Sequence, residues 1–210
     1  MPVSKTSAVE GKHVKSAYAR WAPVYEIIAS PTVPARKVAA KRVNAIGGRF
    51  LEAGVGSGSA LSLYGDNVTL VGVDLSHDML KIARQRAAKL PNVEAIAEMD
   101  LMTLGFPDNA FDGVVCMFTM TAVPDPLQVL SEFARVTRPG GQILVASHFE
   151  AKSGPWRVTD KLLGPFGKQL GWNPSLPVEG LLSIPGLTLT GNEPLPPMGL
   201  ITLLTYTKAG

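Results

Sequence analysis

Between residues 48 and 150 the chain alternates short apolar, β-branched runs with stretches of helical periodicity, a pattern that predicts a parallel sheet flanked by helices. The strands read as RFLEAG (49–54), TLVGVDL (69–75), VEAIAEMD (93–100), FDGVVCMF (111–118) and QILVASHF (142–149). Ser76 is placed to cap a helix over HDMLKIARQRAAKL, which turns Met79, Ile82 and Ala83 to one side and stops at Pro91. A second helix, DPLQVLSEFARVT, follows the fourth strand, and Arg138-Pro139-Gly140-Gly141 turns the chain into the fifth. LTLTGNEPL and GLITLLTYTK read as two last strands in an antiparallel pair, because a parallel crossover needs about a dozen residues or more. The expectation is an α/β fold with a mostly parallel seven-stranded sheet, an antiparallel last strand and helices on both faces.

Both flanks of this core have their own character. Residues 151–180 interleave glycines and prolines with Trp156, Phe166 and Trp172, which reads as an inserted substrate-recognition segment. Near the start, helical spacing puts Val14, Ala17, Tyr18 and Trp21 on one side and Lys12, Lys15, Ser16 and Arg20 on the other. That is the form of a helix lying in a lipid interface, and equally of one packed on the domain. The division expected is 1–45 for N-terminal helices covering the site, 46–150 for the core, 151–180 for the insertion and 181–210 for the final strands, all in one domain.

Charge and cysteine content narrow the setting. The net charge of +3 is mild, but eight lysines and arginines meet only Glu10 and Glu26 up to residue 45, so this end suits an anionic surface. Cys116 is the single cysteine, which excludes an intramolecular disulfide and suits a reducing compartment. The first residues lack the apolar stretch of a secretory signal, and no run approaches the ~20 apolar residues of a membrane span.

The chemistry begins at the end of the first strand, where Glu52-Ala53-Gly54-Val55-Gly56-Ser57-Gly58 leads into a helix expected over SALSLYG. Glycines let the backbone turn tightly and approach a ligand without a Cβ in the way. The spacing is GxGxG rather than the GxGxxG of dinucleotide-binding loops. Asp74 ends the second strand 20 residues after Gly54, where a carboxylate accepts from ribose hydroxyls. That much suits NAD or S-adenosylmethionine. Asp100-Leu101 ends the third strand, where a carboxylate can accept from an adenine amino group, and Met79 and Met117 stand near enough to line such a pocket.

With Glu52, Asp74 and Asp100 around the glycines, the sequence resembles the class I S-adenosylmethionine-dependent methyltransferases, which implies their Rossmann-like fold. Glu52, Gly54, Gly56, Gly58, Asp74, Leu75, Met79, Asp100, Leu101 and Met117 are then the expected cofactor residues, with S-adenosylhomocysteine as the product left behind. The likeness extends to AYARWAPVYEII, TAVPDP, RPGGQILVASHFEAKSGPW, LGW and PLPPMGLITLL, which together resemble the bacterial phosphatidylethanolamine N-methyltransferases. This implies methylation of the phosphatidylethanolamine headgroup, to mono- and dimethylated lipid and on to phosphatidylcholine, by a cytoplasmic protein that attaches reversibly to the inner face of the membrane.

An amine presents its lone pair to a methyl donor only after losing its proton, so a base or relay is needed. His148, at the carboxyl end of the fifth strand, is the candidate, because imidazole exchanges protons near neutral pH. Tyr18 and Tyr25 come from the segment expected to fold over the cofactor. Trp21 or Trp156 can face a methylated ammonium through cation–π attraction, and Arg157, Lys161 and Lys168 are candidates for the lipid phosphate. The histidines show no metal-ligand spacing, so no metal is expected. Methylation of a quinone ring or small amine shares every cofactor residue, and a non-catalytic module that holds the cofactor at a membrane shares the loop and helix. A nucleic-acid partner is not expected, since TMTAVPDP follows the fourth strand in place of an N/D-PP-Y/F sequence. A monomer is expected.

Overall fold

The computed structural model describes residues 30–150, 176–197 and 199–210. Seven strands, β1 (Gly48–Ala53), β2 (Val68–Asp74), β3 (Val93–Glu98), β4 (Phe111–Met117), β5 (Thr137–Ser147), β6 (Leu187–Leu195) and β7 (Ile201–Lys208), form one sheet in the order β3-β2-β1-β4-β5-β7-β6. The first five run parallel, and β7 is antiparallel to both β5 and β6. The chain therefore has the Rossmann-like α/β fold expected of it, and the order reverses between β1 and β4. Open α/β sheets bind their ligands outside the carboxyl ends of the strands at such a point.

Period-two alternation divides the core between two faces. Leu51, Val114, Ile143 and Tyr206 point to one side, and Phe50, Val115, Leu144 and Leu203 to the other. The first side is covered by α3 (Pro126–Val136) through Val129, Leu130, Phe133 and Val136. On the second lie α1 (Val33–Ile46), through Ala35, Ala39, Ala40 and Val43, and Leu80 of α2 (His77–Ala87). Tyr206, fully buried on β7, donates its hydroxyl to the Leu181 carbonyl at 2.6 Å and so ties the chain before β6 to the core.

Caps set the starts of the helices that reach the ligand edge. The Asp125 carboxylate accepts from the amides of Leu127 and Gln128 at 3.0 and 3.1 Å, with Pro126 in the first turn, so α3 starts where its free N–H groups find partners. Ser76 caps α2 as expected, through Met79 N.

Two expectations give way. The helix over SALSLYG reduces to one 3-10 turn, Leu61–Leu63, because the glycine loop uses up residues 54–58 and too few remain before β2 for a full helix. Arg138-Pro139-Gly140-Gly141 does not precede β5 but lies inside it. Thr137 pairs with Phe111 and Gln142 with Gly113, and the intervening residues bulge out with Gly140 at φ 73°.

Candidate active site

β1 delivers the chain into the glycine loop at the carboxyl edge of the sheet, beside the end of β4. Gly54 has φ 79°, and a Cβ there would overlap the Thr119 side chain, so loop and β4 approach each other too closely for any other residue. Gly56, at φ 54°, has open space where its Cβ would be. Its amide donates to Asp74 Oδ2 at 2.9 Å, while Asp74 Oδ1 accepts from Ser76 N at 2.8 Å. Asp74 thus braces the loop against the start of α2, a role its position in the sequence does not reveal. Burial raises its pKa, and the amide bonds from Ser76, Gly56 and Leu75 oppose that rise.

The loop, the ends of β1–β4 and the start of α1 enclose a cavity of about 270 Å3. Of the expected cofactor residues, Gly54, Gly56, Asp74, Leu75, Met79, Asp100, Leu101 and Met117 are on its wall. Asp100 lies just past β3, exposed, with Oδ1 accepting from Met102 N at 2.9 Å. Glu52 and Gly58 are not on that wall. A Cβ on Gly58 would stand 2.7 Å from Leu61 and 3.2 Å from Ala83 Cα, so this glycine serves close packing of α2 on the loop.

Glu52 lies behind the loop, 1% exposed, with Oε2 lacking a hydrogen-bond partner, as does the buried Tyr64 hydroxyl. Burial pushes its pKa up to about 7, opposed by the charge of Arg36 and assisted by that of Asp74. Arg36, in the sequence one of the N-terminal cations, lines the cavity from the first turn of α1 and is 7% exposed. Its Nε donates to Thr32 Oγ1 at 3.1 Å, and its guanidinium lies 4.8 Å from the centroid of Phe118. Phe118, also on the wall, holds the left-handed φ of 64°, a conformation that costs a non-glycine residue on the order of 1–3 kcal/mol. The signal for Arg36 was a charge on the stripe 36, 39, 40, 43, where the other three residues are apolar.

His148 is half-buried at the end of β5 and is not among the described residues lining the cavity. Its Nδ1 lies 3.0 Å from the Leu200 carbonyl oxygen. A carbonyl only accepts, so Nδ1 carries the proton, and in the neutral ring Nε2 holds the lone pair. Cys116 is fully buried in the core and burial pushes its thiol up to about 12, as befits packing rather than nucleophilic attack. Tyr18, Trp21, Tyr25, Trp156, Arg157, Lys161 and Lys168, and the N-terminal amphipathic helix, lie outside the described residues.

Residues 51–145 match the family model described as a methyltransferase domain. The phosphatidylethanolamine N-methyltransferase of Cereibacter sphaeroides is 39% identical over 198 residues, spanning 93% of this chain and 97% of that protein. The chain belongs to this family of S-adenosylmethionine-dependent methyltransferases. A demethylmenaquinone methyltransferase of Renibacterium salmoninarum is 36% identical over 125 residues, covering 59% of this methyltransferase and 51% of its own length. An S-adenosylmethionine-dependent methyltransferase of Thermotoga maritima shares the fold, with a TM-score of 0.70 at 21% identity over 92% of this chain and 99% of its own. The cavity fits the cofactor: Gly56 leaves backbone open to a ligand, Asp74 and Asp100 offer acceptors for ribose and adenine, and Met79, Leu101 and Met117 give apolar walls. The two oxygens of Asp74 accept from the amides of Gly56 and Ser76, and a carboxylate has lone pairs for further donors.

Proposed function

We propose that this methyltransferase N-methylates the phosphatidylethanolamine headgroup at a membrane surface, in up to three steps ending at phosphatidylcholine. The observation that carries this reading is the extent of the 39% identity: it runs over 93% of the chain, well past the 51–145 that any methyltransferase domain of this type shares. When bound, S-adenosylmethionine supplies an electrophilic methyl group. The chain has to hold that group in line with the amine, exclude water and take up the ammonium proton. Orienting two bound reactants is worth up to ~7–11 kcal/mol of the barrier. The glycine loop braced by Asp74 provides the fixed side of that geometry.

For the proton, His148 is the residue we favour. Leu200 fixes the tautomer, leaving Nε2 as the basic nitrogen at the carboxyl edge of the sheet. His148→Ala is expected to lower turnover about 100- to 10,000-fold with cofactor affinity unchanged. Tyr18, Tyr25, Trp21 and Trp156 are proposed to close over and face the amine, with Arg157, Lys161 and Lys168 taking the phosphate. Reversible attachment to the anionic inner face of the membrane, by a monomer, belongs to the same proposal. Among the described residues no helix is long and apolar enough to cross a membrane.

The test is incubation with methyl-labelled S-adenosylmethionine and phosphatidylethanolamine vesicles, followed by separation of the lipids. Label in mono-, di- or trimethylated lipid supports the reading. No label, with cofactor binding intact, turns attention to the quinone ring, a second reading favoured by the 36% identity to the demethylmenaquinone enzyme, although that match lies over the shared core and half of that protein.

A further inference from the structure

Among the described residues three large apolar side chains are exposed: Val33 and Leu127, each at 42%, and Ile46 at 39%. Apolar residues scattered singly over a surface need no explanation, so their placement is what counts. α1 runs into β1, which starts at the amino edge of the sheet; α1 therefore begins at the carboxyl edge, and Ile46 ends it at the amino edge. α3 follows β4 and also begins at the carboxyl edge. Val33 and Leu127 thus both stand at the ligand edge, each in the first turn of its helix, on opposite faces of the sheet.

The cavity lies between them. Arg36, one turn past Val33, and Pro124, three residues before Leu127, are both on its wall. Pro34 and Pro124 are exposed beside the two apolar tips, so the mouth is flanked by apolar surface on both sides. α1 carries Arg36, Lys37, Lys41 and Arg42 and no acid, and Lys37 and Lys41 are exposed and form no ion pair with a described residue. Asp125, the acid nearest Leu127 in the chain, is engaged in capping α3. The cavity is also too small for a whole lipid: about 270 Å3 has to take the cofactor and the reacting headgroup, and two acyl chains have no place in it. The chains then stay in the bilayer, and the mouth has to come to its surface. We propose that Val33 and Leu127 seat the mouth of the cavity on a phospholipid bilayer, with Lys37 and Lys41 facing the headgroup phosphates. Apolar tips set into the headgroup boundary with cations beside them match the layering of such a surface. The proposal rests on the lipid reading above.

The experiment places a probe at each end of the molecule. Cys116 is the single cysteine and is fully buried, so Leu127→Cys and Ile46→Cys each offer one accessible thiol for a polarity-sensitive fluorophore. With vesicles of phosphatidylethanolamine and phosphatidylglycerol, the label at 127 is expected to shift to the blue and the label at 46 to stay unchanged. In turnover, the double variant Val33→Ser, Leu127→Ser is expected to raise KM for vesicular phosphatidylethanolamine about 10-fold or more, while KM and kcat on dihexanoyl phosphatidylethanolamine, dispersed as monomers, stay within about twofold. The unchanged monomeric substrate also reports that the variant is folded and its site intact. No shift at 127, or an equal shift at both positions, overturns the proposal. Equal loss on both substrates overturns it too, by putting the two residues inside the site. A shift at 127 that follows protein concentration without vesicles would assign the surface to a second copy of the chain. Vesicles that shift the label at 127 but receive no methyl group would uphold the docking surface and sink the phosphatidylethanolamine reading instead.

Discussion

Single residues at this site are tuned by what surrounds them more than by their type. Glu52 is a carboxylate in the sequence and a group poised near neutrality in the fold, where burial raises it from an ordinary 4.5 to about 7. Its folded pKa is raised, so the native state holds a proton that the unfolded chain gives up earlier. The stability this lends is fully present below about 4.5 and is lost as pH rises through about 7. The full swing is on the order of 3 kcal/mol. Glu52→Gln has no proton to lose, so in urea titrations without cofactor its stability relative to wild type should improve between pH 5 and pH 8. A constant difference across that range would show that Glu52 does not titrate there. Cys116 makes the converse case: fully buried, with its thiol pushed up to about 12, it should stay unreactive toward a thiol-specific reagent in native protein and react at once in denaturant.

At the scale of elements, the ends matter most, because the cavity is made of strand ends and helix starts. Asp125→Ala removes the acceptor of two α3 amides and should lower the unfolding free energy by about 1 kcal/mol, while Asp125→Asn retains most of it. The strands, the capped start of α2, the presence of α3 and the antiparallel finish were legible in the sequence, since β-branched runs, Ser76, the helical stretch DPLQVLSEFARVT and the short link between LTLTGNEPL and GLITLLTYTK are local signals. The missing helix after the glycine loop was not, because helical propensity in SALSLYG carries no measure of the space left before β2. Nor was Arg138-Pro139-Gly140-Gly141, whose turn chemistry is real but is accommodated as a bulge between two paired stretches of β5. Arg36 went unread for a related reason. Its value lies in the contact of α1 with the end of β4, a tertiary relation between residues 36 and 118 that no local spacing encodes.

For the molecule as a whole, the site is a join. β1, β2, β3 and β4 each contribute an end to it, and α1 closes it from before the sheet begins. A ligand that spans those ends ties together segments from residue 36 to residue 124, so its binding free energy is returned as global stability. At 100 times its dissociation constant, S-adenosylhomocysteine should stabilise the fold by about 2.7 kcal/mol. For a chain of this size that corresponds to a rise in Tm of roughly 5–11 °C. NAD offers the contrast, since its second nucleotide needs a loop with GxGxxG spacing, whereas here Gly58 is taken up in packing against Leu61 and Ala83. Thermal melts with each ligand separate the two: a rise with S-adenosylhomocysteine alone matches a cavity built for one nucleoside and its amino-acid arm, and an equal rise with NAD would mean that the loop admits a pyrophosphate after all.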